Sequence, residues 1–265
     1  MSRIVINSIH YEPEGEGFRK FDSLHDAVER LGEDIGGLVG AHGGGGDLVI
    51  CSTTVTDLLY DREDLNSLFR ATVQRQCGMA ADQIISTYEC ASWGYALRSL
   101  SRHGGGGGRA TVLVMDANLP HFEFWARDQV WGRSGHGTLV LSVDLKPGFE
   151  DDLVIGCAKP GQGLHAFARA VQKAAGTWEN LPVFVPFLTP EMRPVLDRLP
   201  ARKRVGSNLY ETYGHCFGSD PWIGLRERRK SSPDDPVRDA VVGSFALNGC
   251  YCLARLTHQT NGTEP

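Results

Sequence analysis

Gln83-Ile84-Ile85-Ser86-Thr87-Tyr88-Glu89-Cys90-Ala91-Ser92-Trp93-Gly94-Tyr95-Ala96-Leu97 decides the fold of this 265-residue chain. A buried-looking run of strand length ends at Tyr88, and a segment that reads as a helix running into the core begins straight after Cys90. The thiol therefore stands at a strand-to-helix junction. Unpaired backbone N–H groups and the positive end of a helix dipole favour thiolate there and predict a lowered pKa. Cys90 is on this ground a candidate nucleophile. The plainer alternative is a small buried apolar residue, since free cysteine is among the most buried types. Glu89, if ionised and close, would raise the thiol pKa and oppose the helix.

A second junction echoes the first. Thr87-Tyr88-Glu89-Cys90, followed by Trp93 and Leu97, is matched by Thr212-Tyr213-Gly214-His215, followed by Trp222 and Leu225. Outward from these points, Val-, Ile- and Leu-rich runs alternate with segments of helical period, the pattern of an α/β protein with a largely buried sheet. Strands are expected near 3–9, 47–52, 83–88, 111–116 and 138–145, then near 153–157, 182–186, 205–212, 239–245 and 250–256. Helices are expected near 23–40, 64–77, 91–102, 163–175, 190–199 and 219–230. Each half, 1–152 and 153–265 of one compact unit, then has the order βαβαβαββ. If an approximate twofold axis relates the halves, the two junctions face each other.

Bulk properties exclude several classes. With 41% hydrophobic and 22% charged residues the chain can bury a full core, so disorder is not expected. A net charge of -5 leaves no basic footprint for nucleic acid. No run approaches the ~20 apolar residues of a membrane span, and the first residues lack a signal pattern, so a cytoplasmic location is expected. Seven cysteines, an odd count without metal-type spacing, predict free thiols and no metal site. The glycine runs 43–46 and 104–108 follow helices rather than precede them, which fits helix-to-strand connections and not a phosphate cradle.

Four segments, in order along nearly the whole chain, resemble the β-ketoacyl-ACP synthase III family. Asp47-Leu48-Val49-Ile50-Cys51-Ser52-Thr53-Thr54-Val55-Thr56-Asp57 is similar to that family's second strand and loop, and Glu89-Cys90-Ala91-Ser92-Trp93-Gly94-Tyr95-Ala96-Leu97 to its nucleophile motif. Gly132-Arg133-Ser134-Gly135-His136-Gly137-Thr138-Leu139-Val140-Leu141 resembles its GDGAGAVVL segment, and Val241-Val242-Gly243-Ser244-Phe245-Ala246 its last core strand and turn. The resemblance implies a thiolase-like fold with an α/β/α/β/α layered core, and Cys90 as the residue that is acylated. It also implies a thioester donor, acyl-CoA or acyl carrier protein, with no tightly bound cofactor, and a homodimer.

The departures shape the chemistry. Where the family's catalytic histidine stands in a Pro-His-Gln-Ala-Asn motif, this chain has Pro186-Phe187-Leu188-Thr189-Pro190, and where its Gly-Asn pair stands, Gly214-His215. The region between the first expected strand and Phe18 is short, so the family's arm over the carrier entrance is expected to be largely absent. Decarboxylative condensation, which in the family uses histidine and asparagine together, loses one partner. Acyl transfer needs a thiolate, a base and oxyanion donors. Cys90 and His215 would supply the first two, and the backbone N–H groups of Cys90 and Ala246 the third. Asp220 either orients His215, or Ser219 or Asp220 is the N-cap of the helix carrying Pro221 and Trp222. Phe187, His121 and His136 are candidate pocket residues, with surface packing the alternative for His121 and a turn position for His136. Three functions are open: acyl transfer to an O, N or C nucleophile; a silent subunit paired with an active ketosynthase-like chain; and thioester hydrolysis.

Overall fold

The computed structural model describes residues 2–14, 21–53, 59, 62–103, 107–117, 127–128, 131–159, 161–178, 180–197, 205–232 and 238–259. The first half runs through β1 (Ile4–Pro13), α1 (Leu24–His42), β2 (Asp47–Cys51), α2 (Glu63–Cys77), β3 (Ala81–Ile85), α3 (Ser92–His103) and β4 (Gly108–Asp116). A short pair, β5 (Arg127–Asp128) and β6 (Gly132–Arg133), precedes β7 (Gly137–Leu145). The second half contains β8 (Leu153–Cys157), α4 (Gly163–Thr177), β9 (Val183–Phe184), α5 (Pro194–Asp197), α6 (Tyr210–Tyr213), α7 (Asp220–Ser231), β10 (Asp239–Phe245) and β11 (Cys250–His258).

The duplication is visible in the strand order. The first five long strands lie side by side as β3-β2-β4-β7-β1. The second set repeats the arrangement: Val205 bridges β9, β9 pairs β10, β10 pairs β11, and β11 pairs β8. The two sets join through a short parallel contact of β1 with β11, at Val5–Thr257 and Ile6–His258.

Three apolar layers follow from the alternation along these strands. Val28, Leu31, Ile35, Leu65, Phe69 and Val73 of α1 and α2 cover one outer face, while Phe167, Val171 and Ala174 of α4 cover the other. Between the two strand sets lie α3 and α7. Trp93 and Trp222, both wholly buried, meet there edge to face at 5.1 Å, and Trp93 Nε1 donates to Ser244 Oγ at 2.9 Å. The two echoed junctions thus do face each other. Local chemistry supports the buried helices: α7 has Asp220 in its first turn and Arg228, Arg229 and Lys230 in its last, complementing the helix dipole.

Three expectations need correction. The strand over 205–212 shrinks to a bridge at Val205, because Asn208 takes over the pairing with its side chain. Its amide accepts from Leu188 N at 3.1 Å and donates to Leu188 O at 2.7 Å, and the chain then coils into α6. The helix over 190–199 is helical only at Pro194–Asp197 among the described residues. Not all seven cysteines are free: the register of β8 against β11 sets Cys157 opposite Cys250, and the two form a disulfide. Cys51, Cys77, Cys90, Cys216 and Cys252 are free thiols. No helix among the described residues is long and apolar enough to cross a membrane.

Candidate active site

Cys90 lies in a tight turn, Glu89–Ala91, between β3 and α3, and is buried. On the other side of the middle layer, His215 follows α6 and is held by its own backbone. Its N–H donates to Arg133 O at 2.8 Å, and its carbonyl accepts from Gly135 N at 2.9 Å. This close approach explains two glycines. A Cβ on Gly135 would sit 1.9 Å from Tyr213 O, and one on Gly214, whose φ is +74°, would sit 2.7 Å from Arg133 O. The Gly132–Leu141 segment thereby fixes the position of the imidazole.

The three reactive groups form a line. Cys90 Sγ is 3.7 Å from His215 Nε2, and His215 Nδ1 is 2.6 Å from Asp220 Oδ2. Asp220 is fully buried at the start of α7, and its carboxylate also accepts the N–H groups of Cys216 at 2.6 Å and Phe187 at 2.9 Å. With two backbone donors already on this acceptor, the hydrogen-bond network assigns the ring proton to Nδ1 and the lone pair on Nε2 to Cys90. Burial pushes the Asp220 carboxyl above its ordinary range, and the imidazole and the two N–H groups pull it back. The Asp220 oxygens are turned to His215, Cys216 and Phe187, and the cap position of α7 falls to Ser219, which makes no side-chain cap bond.

Cys90 departs from expectation. Burial first, and then the charges of Glu89, Asp116 and Asp220, push its thiol well above the ordinary range, while its own backbone N–H acts in the opposite sense. Desolvation thus outweighs the turn that was expected to lower the thiol pKa. The nearest side-chain nitrogen to the thiol is His215 Nε2.

The other predicted residues divide as follows. The Ala246 N–H is engaged by Cys250 O at 2.8 Å, so it is not presented to the Cys90 cavity as an oxyanion donor. Phe187 is buried behind the site, and its contribution is the backbone bond to Asp220. His136 packs 5.7 Å from the Phe217 ring, with burial pulling its pKa down to about 4, and does not line the cavity over Cys90. His121 lies outside the described residues. That cavity holds only about 30 Å³ and is walled by Glu89, Trp131, Leu188, Met192, His215, Phe217, Phe245 and Leu247. Trp131 and Met192 carried no sequence signal. Phe217, two residues past His215 and at φ +50°, was within reach of a local argument.

Among the described residues no cluster of His, Cys, Asp or Glu has a metal-binding arrangement.

No protein-family model matches the chain, and no curated protein is similar to it in sequence. Its shape, by contrast, is that of a thiolase-type fold. The chain superimposes on 3-oxoacyl-(acyl carrier protein) synthase III from Pseudomonas aeruginosa with a TM-score of 0.65 at 14% identity, over 98% of this chain and 100% of that one. The corresponding synthase III from Thermus thermophilus matches at 0.57 with 19% identity, over 92% and 85%. An acyltransferase, ChlB3, matches at 0.63 with 14% identity, over 96% and 97%. These likenesses establish the fold, and the chemistry rests on this chain's own residues.

Proposed function

We propose that the protein is an acyltransferase in which Cys90 carries the acyl group. The observation that supports this most directly is the Cys90–His215–Asp220 line, with its 3.7 Å and 2.6 Å separations. As the sulfur attacks a thioester carbonyl, its proton passes to His215 Nε2, and the imidazolium is stabilised by Asp220. The proton then goes to the departing thiol as the old C–S bond breaks, leaving acyl-Cys90 and a neutral ring. In the second half-reaction His215 takes the proton of an oxygen, nitrogen or carbon nucleophile as it attacks, and Cys90 leaves with that proton. Acyl-CoA and acyl carrier protein are the donor classes in this reading, within fatty-acid- or polyketide-type biosynthesis. The active form is a homodimer, or a heterodimer with another ketosynthase-like chain.

Intact-mass measurement with a panel of acyl thioesters tests the proposal. The wild type gains one acyl mass, His215→Ala gains it at least about 10²-fold more slowly, the low end for a lost general base, and Cys90→Ala gains none. A wild type that stays unmodified across the panel removes the proposal. The raised thiol and the small cavity favour one rival, a silent subunit. In that case no thioester of the panel acylates Cys90.

A further inference from the structure

Two hydrogen bonds tie the Cys90 junction to the turn between β10 and β11. The Glu89 carboxylate accepts the Leu247 N–H at 2.9 Å, and Asn248 Nδ2 donates to Thr87 O at 2.8 Å. Phe245 and Leu247 wall the cavity from that turn. Leu247 is 40% exposed, whereas Trp131, Leu188 and Phe217, which also wall the cavity, are buried. A space of about 30 Å³ takes roughly one water molecule and no acyl chain. Something must move before a thioester reaches the sulfur, and the exposed wall is the one with least packing to lose.

Glu89 itself is held in an unusual way. Its φ of +44° is left-handed, a conformation that a long side chain adopts only at a penalty. The residue stands immediately before the sulfur, lines the same cavity as Leu247, and reaches that residue's N–H with a charged oxygen.

We infer that Glu89 is a latch: its carboxylate, bonded to the Leu247 N–H, holds the β10–β11 turn closed over Cys90, and loss of that bond opens the cavity to acyl-sized groups. The inference rests on the reading that Cys90 accepts acyl groups, and it makes Glu89 a positioning residue that controls the size of what can enter. The same carboxylate opposes ionisation of the thiol, so the closed site is both narrow and unreactive.

The test compares alkylation of Cys90, located by peptide mass, using a small reagent, iodoacetamide, and a bulky one, N-phenylmaleimide, on the full chain. In Glu89→Gln the charge is gone but an amide oxygen still accepts the N–H, so both reagents accelerate in step. In Glu89→Ala the bond is gone, and the bulky-to-small rate ratio rises about tenfold, the scale of one charge-assisted hydrogen bond. Leu247→Gly keeps the N–H and removes the wall, and raises the ratio as well. An unchanged ratio in folded Glu89→Ala overturns the latch, because a purely electrostatic role moves both rates together. Should that variant not fold, an unchanged ratio in Leu247→Gly overturns it. Absence of acylation in the wild type defeats the acyltransferase reading without touching this ratio, so the two failures are distinguishable.

Discussion

Asp220 shows how much of the site depends on one carboxylate. It hydrogen-bonds the His215 ring and also the backbone at Cys216 and Phe187, and in the proposed mechanism it orients that ring. Asp220→Asn retains the size of the side chain and removes the charge that favours the imidazolium. Acylation of Cys90 is expected to slow by about 10²–10⁴-fold, the range for loss of effective acid–base catalysis, with far-UV circular dichroism unchanged. A rate within threefold of wild type, on the order of 0.7 kcal/mol, rules out the orienting role. His215 and Asp220 were legible as residue types a few positions apart beside an echoed junction. The state of Cys90 was not, because the helix-start argument counts nearby dipoles and cannot count desolvation, which depends on what the opposite half places over the sulfur.

The long strands and helices of the first half, and β8, β10 and β11 of the second, followed from apolar periodicity because each buries a face against a neighbour, although β3 runs over Ala81–Ile85 rather than 83–88 and the short pair β5 and β6 was not expected. Periodicity failed at 205–212, where Asn208 replaces a strand's backbone pairing by side-chain bonds. It also could not assign Ala246, whose N–H direction depends on the turn to Cys250. Disulfide pairing was equally out of reach, since it depends on the register of β8 against β11. The close packing of α3 on β11 carries a further expectation. A Cβ added to Gly94 would lie 2.3 Å from Cys252 Cβ and 2.7 Å from its sulfur. Gly94→Ala therefore forces α3 and β11 apart and lowers stability by about 1–3 kcal/mol, despite the better helix propensity of alanine. Denaturant unfolding checks this, and a variant as stable as the wild type would show that the helix shifts freely.

Across the whole molecule, burial of histidines sets the response to acid. His136 and His258 are buried, and desolvation lowers both to about 4, with Arg229 adding to the effect on His258. In the unfolded chain the same rings take up a proton below about 6.5. Stability is therefore complete above that pH and declines as the pH falls towards 4, by up to about 3 kcal/mol per ring. The raised Asp220 carboxyl works in the opposite direction, since it protonates more readily folded than unfolded. Thermal melts from pH 7 to pH 4 should show the decline, and His136→Asn should flatten it; an equal slope in the variant excludes His136 as a source. At this scale the echoed strand order has one more result. One copy of the motif supplies the sulfur and the other the ring and carboxylate, so the 3.7 Å between them spans the plane where two similar bodies meet. Any slip of one body against the other appears undiminished in that gap, which makes the reactive pair a gauge of how well the duplicated architecture is seated.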